Sequence, residues 1–281
     1  MASKPVIAVL LILVLAGCSS LRLAYFGLDV AARNQVAFYL DLEDDDERWF
    51  ADAAMDRVLD WHQLVMLPRY AAFLRRQADV LEAGDVSREQ VMAAMRQTRA
   101  LYEETVRGAT AEGASVLKRH ASEPRRGYLK ARFDEKNMER EERLAEPIAE
   151  RIERRAERQI RNIERFLGEL SGEQRDRVRT YASEAARGSS VWLNARKSRQ
   201  KAFLAYLATD PEIGDLKQYL DKVLLAPDEN MAPGYRQFIA GRTERFGRLM
   251  FDIISSFTED QRKTAGGRLR GYADELLAIS S

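Results

Sequence analysis

The sequence has 281 residues, with 45 Lys and Arg against 44 Asp and Glu and a formal net charge of +1. A chain so balanced lacks the basic field of a nucleic-acid protein, and nucleic acid is not expected as a partner. Charged residues make up 32% of the chain, interspersed in sign, with only 16 glycines and 7 prolines; joined to helical periodicity, that mix predicts an all-α fold.

Lys4 gives a positive start, Val6 to Leu15 is an unbroken apolar run of ten residues, and Ala16-Gly17 precede Cys18, the only cysteine. That order predicts a secretory signal peptide. The run is shorter than the roughly 20 residues that span a bilayer. With no second cysteine there is no internal disulfide. Leu15-Ala16-Gly17-Cys18 closely resembles the lipobox of bacterial lipoproteins. The resemblance implies that residues 1–17 are removed, that Cys18 carries covalent lipid such as palmitate, and that residues 18–20 are an anchor with a very short tether. Two or more acyl chains make such an anchor stable. Ser19, not aspartate, follows the cysteine. By resemblance to lipoprotein sorting signals, this implies the periplasmic face of the outer membrane over the inner membrane. Loss of residues 1–17 removes only Lys4 among charged residues, so the mature chain carries 44 charges of each sign.

Residues 21–281 read as one helical body, an elongated bundle with room for two sub-bundles divided near 120–147. Leu21 to Leu40 predicts a first helix that lies close to the membrane or folds back on the body. The acidic run 41–47 suits the start of a second helix, where carboxylates meet the macrodipole and free amides. It lacks the central glycine and final glutamate of a calcium loop. Met55, Val58, Leu59, His62, Val65 and Met66 form an apolar face. Pro68 is expected to interrupt it, with a stripe resuming at Tyr70 and stopping at Gly84. Further helices are expected near 87–120, 124–145, 172–187, 190–209, 211–225, 233–256 and 259–279. Pro147 either kinks a helix or starts one.

From Glu135 to Arg165, 18 of 31 residues are charged. The pairs Glu139–Arg143, Glu150–Arg154 and Glu157–Arg161 sit four apart, supporting a long charged helical hairpin. Its apolar stripe includes Leu144, Ile148 and Ile152. Ile148 and Ile152 with Arg151, Arg154, Arg155 and Arg158 make a candidate binding surface of mixed apolar and cationic character.

One pattern occurs three times: apolar, hydroxyl, any residue, acid, glutamine. It begins at Val86, Leu170 and Phe257, with Ser87 and Gln90, Ser171 and Gln174, and Thr258 and Gln261 as the capping-box partners. The hydroxyls are 84 and 87 residues apart. Either a helical hairpin has been duplicated, or helices simply need starts. "LSGEQR" and "FTEDQR" resemble the LTxxQ motif of Spy/CpxP-type periplasmic chaperones. Over nearly the whole mature chain, "LAGCSSLRLAY", "DWHQLVMLPRYAAFL", "LSGEQRDRVRTYA", "VWLNARKSRQ" and "FTEDQR" resemble an uncharacterised family of helical proteobacterial lipoproteins, which brings an architecture and an address but no activity.

No catalytic group or metal site stands out. There are two histidines; His62 reads as a core residue beside Trp61, and His120, in a basic stretch, as solvated. Gly267 and Gly271 suit close helix packing. No phosphate loop, nucleophile elbow or zinc motif is present. Two functions follow. The first is a membrane-anchored binding or chaperone-like protein acting on envelope or unfolded proteins. The second is a scaffold lipoprotein bridging envelope partners. Neither needs catalysis or a cofactor beyond the lipid.

Overall fold

The computed structural model describes residues 20–42, 44–226 and 233–281. Cys18 and the signal segment lie outside the described residues. Helices follow in chain order: α1 Ser20–Leu40, α2 Asp45–Trp61, α3 Leu67–Glu82, α4 Arg88–Arg119, α5 Glu123–Ala145, α6 Ile148–Leu167, α7 Gly172–Ala186, α8 Ser189–Leu207, α9 Ile213–Leu225, α10 Pro233–Ser255 and α11 Glu259–Ser280. No strand occurs among the described residues, and the fold is all-α.

Local chemistry explains the boundaries. Asp44 accepts the Asp46 N–H at 2.8 Å, and Asp45, Asp46 and Glu47 fill the first turn of α2, where their charge meets the free amides. Gly84 follows α3 at φ +78°, a conformation that costs glycine little. Pro147 has ψ 132° and caps α6, so this proline starts a new helix. Pro68 behaves otherwise than expected. The chain passes from α2 to α3 through a π-helical turn, His62–Met66, in which the Leu67 N–H bonds to His62 O. The wider turn absorbs the amide that Pro68 lacks, so the helical path continues.

The tightest pair is α3 against α11, which run antiparallel. Ala78, Ala265 and Ala273 are fully buried. Gln63 Nε2 donates to Ile279 O at 2.6 Å at one end, and Arg270 pairs with Asp79 and Glu82 at the other, with Arg75–Asp274 between. Gly266 meets Glu82, and a Cβ there would lie 2.6 Å from Glu82 Oε1. Gly267 and Gly271, expected at a close contact, face open space instead. The helix needs its small residue one position earlier, on the face turned to α3.

This pair nucleates the main core, joined by Leu21 of α1, Val91 of α4, Ile160 and Leu167 of α6, Val178 of α7 and Ile253 of α10. Two smaller clusters lie around Leu40, Ala54 and Val116 and around Ala114, Leu129, Leu207 and Leu216. The two helices of the charged hairpin do not zip together. α5 packs on α1 and α8, whereas α6 packs on α7 and α11, so the pair splays from Pro147.

All three capping boxes form. In the first, Ser87 N–H donates to Gln90 Oε1 at 2.7 Å at the surface. The other two meet each other. Gln174 and Gln261 are 2% and 7% exposed. Each caps its own helix and donates Nε2 to the other's Oε1, at 3.1 and 3.0 Å. Gln174 also donates to Ser256 O at 3.2 Å, and Gln261 to Glu169 O at 2.9 Å. The same motif position therefore predicts unequal costs. Gln174→Ala should lower the unfolding free energy by about 3 kcal/mol, because it strands buried partners. Gln90→Ala should cost under about 1 kcal/mol. Urea denaturation of the two variants decides; equal costs would show that the buried pair adds nothing.

Candidate functional site

The splay of α5 from α6 opens a cavity of about 2240 Å³, closed elsewhere chiefly by α4, α8 and α10. Sites for drug-sized ligands run to about 300–1,000 Å³, so this one suits something larger. Each wall helix contributes a stripe at helical spacing. On α8 the stripe is Trp192, Arg196, Arg199 and Phe203; on α10 it is Tyr235, Phe238, Arg242, Phe246 and Leu249; on α6 it is Arg151, Arg155, Arg158 and Phe166. Met92 and Met95 of α4 and Phe133 of α5 add apolar surface.

The charges on this lining are one-sided: twelve arginines and three glutamates, without lysine or aspartate. The three glutamates are already engaged. Glu112 pairs with Arg57 at 2.7 Å, Glu103 with Arg99 at 2.7 Å and Glu157 with Arg161 at 3.6 Å. Arg96 of α4 and seven arginines of the other walls have no carboxylate within 4.0 Å among the described residues. The seven are Arg140 on α5, Arg151, Arg155 and Arg158 on α6, Arg196 and Arg199 on α8, and Arg242 on α10. Elsewhere a single guanidinium can hold several carboxylates: Arg33 holds Asp29, Asp52 and Asp56.

Neutral groups and rings take part of the load. Arg196, 1% exposed, donates Nε to Asn137 Oδ1 at 3.1 Å, and Asn137 donates to Gln200 Oε1 at 2.8 Å. Arg199 donates to Tyr235 Oη at 3.0 Å. Arg140 lies 5.2 Å from the Trp192 ring centre, a cation–π contact. Arg140 Nε, Arg151 Nε, Arg155 Nη1 and Arg196 Nη2 are buried with no hydrogen-bond partner among the described residues. Burial first, and then neighbouring arginines, hold three guanidiniums below their ordinary range. Arg196 and Arg143 act on Arg140; Arg242, Arg158 and Arg151 act on Arg155; Arg199 acts on Arg196.

Of the residues singled out on sequence, Arg151, Arg154, Arg155 and Arg158 come together on this wall. Ile148 is half-exposed and Ile152 partly buried, both outside the lining. Ser171, Gln174, Thr258 and Gln261 lie at the foot of α6 and α10, where they fasten helices. Arg140, Arg196, Arg199 and Arg242 were not anticipated. The signal was there: none of the seven unpaired arginines has an acidic residue three or four positions away.

The chain matches a family model over residues 38–236, a family of unknown function designated DUF6279. The chain belongs to DUF6279. No curated protein and no solved structure matches it. Family membership supplies no activity, and the cavity must be read from its own chemistry. Among the described residues no group of three or more His, Cys, Asp or Glu could hold a metal ion.

Neither histidine enters the cavity. His120, expected in solvent, is 3% exposed. Its Nδ1 lies 2.8 Å from Val116 O, because α4 ends against α2 and folds the ring inward. His62 sits in the π turn between Tyr25, whose Oη is 3.1 Å from Nδ1, and Tyr70. Desolvation lowers its pKa from 6.5 to about 4. The folded state thus binds the proton less well than the unfolded chain. Stability is full above pH 6.5 and falls as pH drops from 6.5 towards 4, by at most about 3 kcal/mol. His62→Phe should remove that segment of the pH–stability curve in chemical denaturation; an unchanged curve would refute the assignment.

Proposed function

We propose that the chain is a lipid-anchored envelope protein that binds a partly apolar client and shields it from water, in the manner of a chaperone. The observation that carries this reading is the cavity, which is too large for an ordinary metabolite and lined by aromatic, aliphatic, methionine and arginine side chains. Methionine and aromatic walls adapt to varied apolar surfaces. The only carboxylates on the lining are ion-paired, which favours holding a ligand over acid–base chemistry.

Two features support the address. Helix α1 begins at Ser20, two residues beyond Cys18. It exposes Leu23, Phe26 and Val30, at 70%, 58% and 60%, along one face. An apolar stripe beside an acylated residue suits the interfacial layer of a bilayer, here the periplasmic face of the outer membrane. Among the described residues no helix is long and apolar enough to cross a membrane.

Two measurements test the reading. Native protein should appear in the outer-membrane fraction with the mass of a tri-acylated Cys18, and Cys18→Ala should lose both; a soluble, unacylated native product would refute the anchor. Full-length protein in non-ionic amphipol should take up the neutral reporter N-phenyl-naphthylamine with a gain in fluorescence. Ala185→Trp, which fills part of the cavity wall, should weaken that uptake about tenfold. No uptake by the parent protein would end the binding reading.

A further inference from the structure

The cavity's charge distribution goes beyond its apolar capacity and, granted the binding reading above, narrows the client to one chemical class. Guanidiniums held partly out of water with no counter-charge are costly, by several kcal/mol for each fully desolvated ion. The chain has nearly as many carboxylates as basic residues, 44 against 45, and the three on the cavity lining are already paired with other arginines. Yet the positive cluster along the cavity lining stays unpaired. Four of its nitrogens are buried without a hydrogen-bond partner, including Nη2 of Arg196, a side chain 1% exposed. Directly beside this cluster the lining turns apolar, through Trp192, Phe203, Phe238, Phe246, Ile163 and Met250.

The geometry points to an anionic amphiphile as the occupant: a phosphate-bearing head group held by the arginine cluster, with acyl chain laid along the aromatic and methionine walls. Planar guanidiniums offer paired N–H donors that match phosphate oxygens, and charge-assisted bonds of this kind are the strong ones. An anion at the cluster satisfies the unpartnered donors and screens the mutual repulsion of Arg155, Arg242, Arg151 and Arg158. A purely apolar client would leave the arginines uncompensated, and a free anion would leave the apolar walls wet. Only a molecule with both ends uses the whole lining. The arginines therefore trade stability for recognition, as ligand-binding groups do.

The test compares lyso-phosphatidylglycerol with lyso-phosphatidylcholine of the same chain length, below their micelle concentrations. The titrant is delipidated full-length protein in non-ionic amphipol, with empty amphipol as control. Calorimetry should show saturable binding of the anionic lipid, at least about tenfold tighter than the zwitterionic one. Sodium phosphate alone should compete only weakly. Arg155→Met and Arg242→Met keep the apolar stem and lose the charge. Each should weaken the anionic lipid about tenfold and raise the melting temperature of the lipid-free protein by about 2 °C or more.

Equal binding of the two lipids would overturn this inference and leave the binding reading standing. Competition by inorganic phosphate as strong as by the lipid would reduce the cluster to a free-anion site and overturn it. Loss of binding together with a fall in melting temperature would mark the arginines as structural and overturn it. Suppressed aggregation of an unfolded outer-membrane protein with no lipid binding would overturn it in favour of a polypeptide client. Failure of both lipids and of the neutral reporter would remove the binding reading itself.

Discussion

Two buried side-chain amides hold the cavity walls at their feet. Gln174 and Gln261 each satisfy the free amides of their own helix start, and each completes the other. A helix start cannot be buried with its first N–H groups unpaired. The turn after α6 and the turn after α10 solve that problem jointly, and in doing so they fasten two walls of the cavity to one point. Above that point α6 carries its arginines and α10 its Arg242 onto the cavity lining, and α5 leans away from α6 at Pro147. The open space depends on this fixed base, because splayed helices with unpaired charge between them would otherwise drift apart or collapse.

The electrostatics of the molecule divide in the same way. Ion pairs at helical spacing, those beside the cavity included, are abundant and mostly exposed, so each contributes little. Glu139–Arg143, Glu150–Arg154 and Glu157–Arg161 are present at 3.9, 3.8 and 3.6 Å, long enough to confirm that they decorate the helices and do not hold them. Inside, the arginines without carboxylates raise the free energy of the ligand-free fold. The packing of α3 on α11, with alanines fully buried and Gly266 against Glu82, offsets that cost from the opposite side of the body.

How much of this was legible follows from what each feature depends on. Helix boundaries were readable within a residue or two, because caps, prolines and glycines act locally: Ser87, Ser171 and Thr258 start helices by their own hydroxyls. Pro68 misled because a π turn can replace a break, and that choice depends on what His62 packs against. His120 looked solvated among basic neighbours; its burial is set by α2, some seventy residues earlier in sequence. Gly267 and Gly271 drew attention by spacing, yet rotation of α11 about its axis decides which glycine faces α3. The cavity was half visible. The α6 arginines stood out by density. Those of α8 and α10 are sparse in sequence and stand out only as cations lacking an acid one turn away, and their convergence is a property of the fold.

A recurring offset in the sequence sets like residues in register. At the 87-residue offset that relates Ser171 to Thr258 and Gln174 to Gln261, Arg155 coincides with Arg242, Arg158 with Arg245 and Arg161 with Arg248. Gln174 and Gln261, one such pair, meet in the fold, and Arg155 and Arg242, another, lie near enough to repel. For glutamine this is benign, since an amide both donates and accepts and so pairs with itself; the reciprocal bonds at 3.1 and 3.0 Å are that outcome. For arginine it is not, since a guanidinium only donates, and Arg242 stands among the charges that act against Arg155. The same offset thus gives a closed joint where the repeated residue is glutamine and, where it is arginine, a buried Arg155 Nη1 with no hydrogen-bond partner among the described residues. Satisfying that donor takes an acceptor that α6 and α10 do not supply, and an anionic group lodged between the two walls supplies it.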